Sequence, residues 1–121
     1  MMDRDAELKA GDVVLVDFSP VRGHEQDGTR PALVITDEAY NRASSFVVIC
    51  PITSNANPWP FKVALPDGSR VKGFIMVDQI KSVDRRRRVL RVLDRLPVSC
   101  MNRVHVCLSF LLGLKPNHAD H

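Results

Sequence analysis

The sequence predicts one mainly β domain, a small barrel or curled antiparallel sheet, that is capped by a C-terminal α-helix. Short apolar, β-branched segments are separated by turns containing glycine and proline along most of the chain. Apolar residues recur every three to four positions only after Val98, and this is the period of a helix. A chain of 121 residues can bury one useful core, whereas two domains of half that length could not.

The first three predicted strands are short apolar runs of the kind that is buried in a core. They cover residues 12–18, 31–36 and 46–52. The second begins with Pro31, and the first position of a strand is where a missing N–H donor does least harm. Residues 19–30 are polar and contain two glycines, so they are predicted to form a loop.

A β-hairpin is predicted in the middle of the chain. Residues 61–65 alternate between apolar and other side chains, and residues 66–69 contain an Asp-Gly turn. The partner strand is predicted to run over residues 71–80, which places Gln79 and Lys81 on or beside a strand.

The C-terminal helix is predicted to begin near Val98 and to stop at Gly113. Val106, Cys107 and Phe110 widen its apolar stripe beyond one face. Either a subunit contact or deep packing within one chain would account for this second apolar surface.

Composition favours a globular domain that resides in the cytoplasm. Hydrophobic residues make up 45% of the chain and charged residues 26%. No apolar run approaches the roughly 20 residues that span a bilayer, and residues 1–5 lack the apolar stretch of a secretory signal. The net charge of +3 favours a polyanion as partner but does not by itself establish one.

The cysteines predict reduced core thiols and no metal or other cofactor. Cys50, Cys100 and Cys107 cannot all pair with one another, and all lie in apolar segments without the spacing of a zinc site. His118 and His121 could hold a metal weakly, but a frayed polar tail explains them at least as well.

Residues 23–30 are the most polar loop of the chain and raise the question of a phosphate-binding loop. Gly23 and Gly28 have the required spacing, but Thr29-Arg30 replaces the lysine–hydroxyl pair and a strand follows where a helix is needed. A nucleotide-binding loop is therefore excluded.

Candidate chemistry is concentrated at strand ends. Arg30 is either a surface arginine or a guanidinium held toward a phosphate, because the following proline restricts its backbone to extended conformations. Thr53 and Ser54 close the third strand, where hydroxyls also commonly satisfy turn backbone groups. The four arginines of residues 85–88 are either a solvated basic surface or a patch that attracts a polyanion.

Four linked motifs resemble the MazF/PemK toxins in content, order and spacing. They are GDVVLVDFSPVRGHEQDGTRPALVI, PITS, PWPFKVALP and VDQIKSVDRRR, and the resemblance runs from about Gly11 to Gly113. It implies the SH3-like barrel of the CcdB, MazF and PemK toxins over residues 11–114, with an N-terminal extension of residues 1–10 and a polar tail of residues 115–121.

The same resemblance implies an activity and partners. The implied activity is metal-independent, sequence-specific cleavage of single-stranded mRNA that leaves 2′,3′-cyclic phosphate and 5′-hydroxyl ends and inhibits translation and growth. The implied partners are a second copy in a homodimer and a cognate MazE-type antitoxin whose acidic tail lies along the RNA site. DNA is reached only through the antitoxin, and no membrane is involved.

The resemblance also assigns residues. The catalytic arginine falls on Arg30, the catalytic threonine on Thr53 and the loop glutamate on Glu25. Where the family commonly has small residues, this chain has His24 and Asp27, which leaves the cleavage sequence open. The residues expected to bind RNA are Phe18, His24, Gln26, Thr29, Ser54, Asp78, Gln79, Lys81, Arg85 and Arg86.

In the hypothesis that follows, the ribose 2′-hydroxyl of the substrate attacks the adjacent phosphorus. Arg30 stabilises the extra charge, because an arginine stays protonated at neutral pH and is a poor base. Thr53 donates to the phosphate, Glu25 is the first candidate for general base, and His24 is the second. Trp59 either stacks on a base or packs beside its two neighbouring prolines.

Two other functions remain open. A gyrase-poisoning toxin on the same fold would act through an apolar C-terminal end, whereas this chain ends in His118-Ala119-Asp120-His121. A non-catalytic barrel that binds RNA or a peptide would carry the same motifs without turnover.

Overall fold

The computed structural model describes residues 7–19 and 28–114. Seven strands and three helices follow one another along these residues, with one 3-10 turn, at Val77–Gln79. The elements are β1 (Asp12–Asp17), β2 (Thr29–Val34), α1 (Glu38–Ala43), β3 (Phe46–Thr53), β4 (Lys62–Ala64), β5 (Phe74–Met76), β6 (Lys81–Asp84), α2 (Arg85–Arg88), β7 (Val89–Arg95) and α3 (Val98–Leu112).

All strand pairs are antiparallel, and the sheet curls into a barrel. The strand order is β4-β5-β3-β2-β1-β7, and β6 pairs with the first half of β3. The four residues of α2 connect β6 at one side of this sheet to β7 at the other, so the two sides must approach each other. In the part of the chain that the structure describes, no ladder joins β6 to β7. The barrel-like fold with a C-terminal helix, predicted from the sequence, is confirmed.

Alternate side chains of the strands face two separate cores. We call the first surface the helix face, because its side chains pack against α3; Leu33, Cys50, Ile52 and Ile75 belong to it. Helix α3 contributes its own buried stripe at the spacing that the sequence predicted. The buried residues of that stripe are Cys100, Met101, Val104, Cys107 and Leu108.

The second surface, the barrel face, points into the curl of the sheet. Its buried side chains come almost entirely from strands β1, β2, β3 and β7, since no long helix covers this face among the described residues. Leu8, in the expected N-terminal extension, also packs here, and its carbonyl accepts a hydrogen bond from Asn41 Nδ2 at 2.8 Å. The members are Leu8, Val14, Val16, Ala32, Val34, Val47, Ile49 and Val89.

Helix α3 ends as predicted. Gly113 adopts a left-handed conformation with φ of 70°, and the N–H groups of Gly113 and Leu114 donate to carbonyls of the last turn. The outer side of the helix is apolar and exposed: the exposed fractions of Val106 and Phe110 are 57% and 77%. No helix within residues 7–19 and 28–114 is long and apolar enough to span a membrane.

Two strand predictions were wrong in part. Strand β2 begins at Thr29, two residues before the proline, and Pro31 lies where the strand pairs with β1 but is not yet paired with β3. The long strand predicted over residues 71–80 is only the short β5, because the chain turns at Val77–Gln79 before β6 begins. Gln79 therefore lies in a 3-10 turn and not on a strand.

Helix α1 was not predicted. Asp37 caps it by accepting a hydrogen bond from the backbone N–H of Tyr40 at 3.1 Å, a signal that the sequence contains. The helix positions the buried Asn41, whose side chain also donates to the carbonyl of Thr36 at 2.8 Å. It is short and largely exposed, so no apolar periodicity marks it.

The prediction of reduced core thiols is confirmed, since all three cysteines are free and buried. Burial raises the pKa of Cys50 to about 12, and its thiol lies 3.8 Å from the carbonyl oxygen of Val77. Such a thiol is a packing group and a poor nucleophile.

Candidate nucleic-acid interface

Strand register brings Arg30, Thr53 and Lys81 to one end of the barrel face. Arg30 is paired with Val16, and Lys81 is paired with Ile49, both of which belong to this face. Thr53 lies four residues beyond Ile49 on the same strand, so its side chain has the same orientation. We call this end of the barrel, defined by Phe18, Arg30, Thr53 and Lys81, the mouth.

Arg30 and Thr53 lie on neighbouring strands. The ladder between β2 and β3 pairs Ala32 with Pro51, and the same register continued by two residues sets Arg30 opposite Thr53. The hydrogen-bonded ladder ends at the pair Ala32 and Pro51, so Arg30 and Thr53 lie just beyond it, as neighbours across the two strands. Arg30 is exposed and Thr53 is half-buried.

Thr53 is held by the residues around it. Its Oγ1 accepts a hydrogen bond from the backbone N–H of Asn55 at 3.1 Å. A hydroxyl has one proton to donate, so this contact occupies a lone pair and leaves the proton available to a ligand. On the other side Thr53 is paired with Phe74 of β5.

Phe18 and Lys81 form the other side of the mouth. The ammonium of Lys81 lies 5.0 Å from the centre of the Phe18 ring, within the range of a cation–π interaction. Both line a cleft of about 280 Å³ between the end of β1 and strand β6. Arg88 holds the chain at this point by donating to the carbonyl oxygens of Asp17 at 3.3 Å and Ser19 at 3.0 Å.

A carboxylate also lines the cleft. Asp17 accepts the backbone N–H of Ser19 at 2.9 Å, and this hydrogen bond lowers the pKa of the Asp17 carboxyl. The negative charge lies on the β1 position next to Phe18, so the cleft combines a fixed acid with the cations of Lys81 and Arg88.

Asp78 is engaged by an aromatic side chain. Its Oδ2 accepts a hydrogen bond from the indole Nε1 of Trp59 at 3.0 Å, and the Trp59 ring lies 5.8 Å from the ring of Phe61. Half of Trp59 remains exposed. The indole is therefore neither simply packed nor free, and Asp78 holds it in place. Gln79 beside it is exposed.

The arginine cluster forms the single turn α2. Asp84 caps it by accepting the backbone N–H groups of Arg86 and Arg87 at 3.0 and 2.9 Å. The side chain of Arg85 is half-buried and donates to the carbonyl of Ser44 at 3.2 Å, so it contributes to the fold between α1 and β7. Arg86 and Arg87 are exposed.

The remaining predicted residues are divided between this site and its surroundings. Ser54 is exposed next to Thr53, whereas Thr29 is paired with Asp17 and points to the opposite face of β2 from Arg30. The candidates in the β1–β2 loop, His24, Glu25 and Gln26, lie outside the described residues.

Three residues near Thr53 were missed by the sequence reasoning. Phe74 is its strand partner, Lys62 contacts the segment that follows it, and Gly73 approaches its backbone. A Cβ atom on Gly73 would lie 2.4 Å from the carbonyl oxygen of Thr53, and the φ of Gly73 is +132°. The glycine was visible in the sequence, but its partner across the sheet was not.

The fold and this end of it together define a small helix-capped β-barrel whose open mouth carries cations, a hydroxyl and an aromatic ring. A family model described as "PemK-like, MazF-like toxin of type II toxin-antitoxin system" matches residues 9–112. The chain belongs to this toxin family, as its motifs predicted.

Individual relatives agree with this assignment. "Endoribonuclease PemK" of Escherichia coli is 36% identical over 116 residues, which cover 93% of this chain and 87% of that protein. "Endoribonuclease MazF" of Staphylococcus epidermidis is 32% identical and covers 94% of this chain and 97% of its own. Among solved structures, a MazE-MazF crystal structure from Deinococcus radiodurans superposes with a TM-score of 0.82 at 38% identity, covering 90% of this chain and 98% of that chain.

Proposed function

We propose that this toxin is an endoribonuclease that cuts single-stranded RNA, mRNA above all, at a specific sequence and without a metal ion, and that it inhibits translation and growth in this way. The observation that carries the proposal is the placement of Arg30 and Thr53 on neighbouring strands of one face, at the open mouth of the barrel. Membership of the family and the endoribonuclease names of the relatives support the reaction class.

The reaction uses a nucleophile of the substrate. The ribose 2′-oxygen attacks the adjacent phosphorus and forms a new P–O bond, while the bond from phosphorus to the 5′-oxygen breaks. A base removes the 2′ proton, and an acid supplies a proton to the leaving 5′-oxygen. The products are a 2′,3′-cyclic phosphate and a 5′-hydroxyl. The protein has only to position the substrate, stabilise the developing charge and transfer the two protons.

Arg30 stabilises the charge that develops on the phosphate. Its guanidinium is exposed at the mouth, and a planar cation with several donors fits two phosphate oxygens at once. Thr53 donates its hydroxyl proton to a phosphate oxygen, since Asn55 occupies only an acceptor position of that hydroxyl. The hydrogen bond from Asn55 holds Thr53 before the substrate arrives, and such preorganisation makes charge stabilisation effective.

The general base is proposed to come from the β1–β2 loop. Glu25 is the first candidate and His24 the second. The structure fixes the two ends of this loop at Ser19 and Gly28, where Phe18 N–H donates to the carbonyl of Gly28 at 3.0 Å. Both ends lie at the mouth, which supports a general base from this loop.

The strand of RNA is proposed to cross the mouth, where unpaired bases can stack and phosphates can meet cations. Phe18 provides a ring and Lys81 a charge on the side of the cleft. Ser54 and Gln79 are exposed and available to bind base edges and phosphates, and Arg86 is exposed on α2. Asp78 acts by holding Trp59, and Gln26, His24 and Thr29 complete the expected set from the loop and its end.

We also propose a homodimer in which a second copy covers the outer side of α3. Val106 and Phe110 are exposed there, and together with Pro60 and Phe61 they line a largely apolar cleft of about 450 Å³. A monomer rarely leaves so continuous an apolar surface in water. The second proposed partner is a cognate antitoxin of the MazE type, which the similarity to the MazE-MazF structure from Deinococcus radiodurans supports. We propose that an acidic segment of this antitoxin competes with RNA for the mouth.

The test is cleavage of a long RNA by the purified protein in EDTA, with the new ends identified chemically. We expect cuts at one recurring sequence, 5′ ends that accept phosphate from a kinase, and 3′ ends that resist phosphatase until acid opens the cyclic phosphate. A 2′-deoxy substitution at the cut nucleotide abolishes the reaction, because the nucleophile is lost. Arg30→Ala is expected to slow cleavage by about 100-fold or more.

Other outcomes identify other functions. Cleavage that requires added Mg²⁺ and leaves 5′-phosphates would refute the proposed chemistry. Binding without cleavage would favour a non-catalytic barrel, and inhibition of DNA supercoiling by gyrase without RNA cleavage would favour the gyrase-poisoning alternative. The general base is identified by comparing the pH–rate profiles of Glu25→Gln and His24→Ala, and an unchanged profile in both eliminates both.

A further inference from the structure

Lys62 on β4 makes more contacts than a lysine at a surface usually does. Its ammonium donates to the carbonyl of Asn57 at 2.7 Å, to the carbonyl of Asn55 at 2.9 Å and to Asn55 Oδ1 at 3.3 Å. An ammonium has three protons, so these three acceptors use its full capacity. The same group lies 5.8 Å from the centre of the Phe74 ring.

These acceptors belong to an exposed segment that begins at Thr53. Every residue from Ser54 to Pro60 is exposed, and such a segment has little burial of its own to hold it in one conformation. Within it, Asn55 Oδ1 also accepts the backbone N–H of Asn57 at 2.8 Å. Lys62 therefore connects the segment to the sheet, through charge-assisted hydrogen bonds that are stronger than neutral ones.

Asn55 links Lys62 to the candidate catalytic hydroxyl. Its carbonyl and its side chain accept from Lys62, and its backbone N–H donates to Thr53 Oγ1. Displacing Asn55 would leave the Thr53 side chain free to rotate, because the hydrogen bond from Asn55 N–H is what fixes the acceptor side of its hydroxyl.

We propose that Lys62 is a positioning residue for the reaction: through Asn55 it orients the Thr53 hydroxyl so that its proton points at the scissile phosphate. The inference rests on the proposed function and adds a residue that the motifs did not single out. Lys62 does not bind the RNA phosphate, because its three donors are already used within the protein.

A double-mutant cycle with Lys62→Met and Thr53→Val tests the proposal, because methionine retains much of the length of lysine and valine retains the shape of threonine. We expect Lys62→Met to lower kcat about tenfold in the parental protein and to change it less than about twofold in Thr53→Val, since coupled residues are non-additive. KM and the salt dependence of RNA binding should stay at parental values. Lys62→Arg, which keeps the charge with a different donor geometry, should restore part of kcat.

Lys9→Met is the matched control. Lys9 is exposed before β1, at the opposite end of that strand from Phe18, so this variant removes the same charge and should retain the parental kcat. Thermal unfolding of each variant shows whether the fold is intact.

A second readout does not depend on cleavage. Hydrogen exchange at the Asn55 backbone amide should accelerate in Lys62→Met and stay at the parental rate in Lys9→Met, because Lys62 holds Asn55 against Thr53.

Several results would overturn the inference. Equal losses of kcat from Lys62→Met in both backgrounds would show that Lys62 acts independently of Thr53. A raised KM together with a weaker salt dependence of RNA binding would show that Lys62 binds an RNA phosphate. An unchanged exchange rate at the Asn55 amide would show that Lys62 does not hold Asn55 against Thr53. If the parental protein did not cleave RNA, the proposed function would fail, while the exchange experiment would still test the contact between Lys62 and Asn55.

Discussion

The helix face and the barrel face are built from alternate residues of the same strands, yet they differ in what they present at the mouth. On β3, Cys50 and Ile52 point to α3 and are buried, while Thr53, immediately after them, has the other orientation and reaches the open end. On β2, Leu33 is buried on the helix face and Arg30 is exposed on the barrel face. Because successive side chains of a strand lie on opposite faces, the residues that pack under α3 and the residues proposed to act on RNA lie on different faces of the same strands.

The difference shows how a small domain can carry polar residues close to its core. The helix face is covered along its length by α3, so its side chains contribute to stability. The barrel face is apolar inside the curl and ends in Arg30, Thr53 and Lys81, where the sheet opens. Polar residues at this end remain solvated, and their replacement should change activity more than stability.

The largest expected effect separates the two faces directly. Ile75→Ala removes a fully buried side chain under α3 and should reduce the free energy of unfolding by about 2–5 kcal/mol. Arg30→Ala should change it by less than about 0.5 kcal/mol, because the side chain is exposed. Urea unfolding of both variants measures these values. A loss of several kcal/mol in Arg30→Ala would mean that the arginine is part of the fold.

Gly73 approaches the backbone of Thr53, so its replacement should affect both the stability of the sheet and the position of Thr53. We expect the next largest loss of stability here. In Gly73→Ala the new Cβ would lie 2.4 Å from the Thr53 carbonyl oxygen, so the pairing of β5 with β3 must shift. Gly68→Ala is the matched control, since Gly68 also has a positive φ, +92°, but nothing lies within 4 Å of its Cβ position.

We expect Gly73→Ala to lose about 1–3 kcal/mol more stability than Gly68→Ala, the usual cost of overpacking. It should also lose RNA cleavage, because Thr53 moves with its strand. Equal stabilities of the two variants, measured by urea unfolding, would show that the close approach is relieved without cost.

Local signals in the sequence were sufficient for much of the fold. Apolar runs marked β1 and β3, and the alternation of apolar and other residues marked β4. The helical period, with Gly113, marked both ends of α3. The errors occurred where tertiary pairing overrides local pattern: residues 71–80 look like one strand, but only Phe74–Met76 pairs with β3 and β4. Helix α1 was missed because it is held by a cap and by the buried Asn41, not by an apolar stripe.

The candidate site could be predicted from the sequence less completely than the fold. The motifs named Arg30 and Thr53, which are 23 positions apart in the chain, but their proximity depends on the register between strands β2 and β3. Lys62 lies within the motif PWPFKVALP but received no role from it, and Phe74 lies outside the four motifs. Their relation to Thr53 arises from pairing across β5. Asp78 was expected to contact RNA, and the structure shows that its carboxylate accepts a hydrogen bond from the indole N–H of Trp59.

A smaller effect should distinguish charges at the mouth from charges elsewhere. Lys81→Met removes the ammonium beside Phe18 and, if it meets one phosphate, should reduce the salt slope of single-stranded RNA binding by about 0.7. Lys9→Met removes an exposed charge before β1, at the opposite end of that strand from Phe18, and should leave the slope unchanged. Binding is measured on an RNA with a 2′-deoxy cut site at several salt concentrations. Equal slopes for the two variants would contradict a phosphate contact at Lys81.

The smallest expected effect concerns Asp94 on β7, a surface carboxylate remote from the motifs of the mouth. It accepts the backbone N–H groups of Arg70 and Arg95, both at 2.8 Å, and these bonds lower the pKa of its carboxyl. A lowered folded-state pKa means that the carboxylate is stabilising above the unfolded-state pKa, and that this contribution is lost as the pH falls through the folded-state pKa.

The stability difference between the parental protein and Asp94→Asn should therefore be constant from pH 7 to about pH 5 and should shrink below about pH 4, where carboxyls protonate. Urea unfolding at a series of pH values measures it. Arg70→Ala keeps the backbone donor and should retain most of this pH dependence, because the largest cause of the lowered pKa of Asp94 is the hydrogen bond from the Arg70 amide and the guanidinium charge adds a smaller one. A difference that grows as the pH falls would show that Asp94 is destabilising when charged, and would place this carboxylate among groups whose pKa is raised by folding.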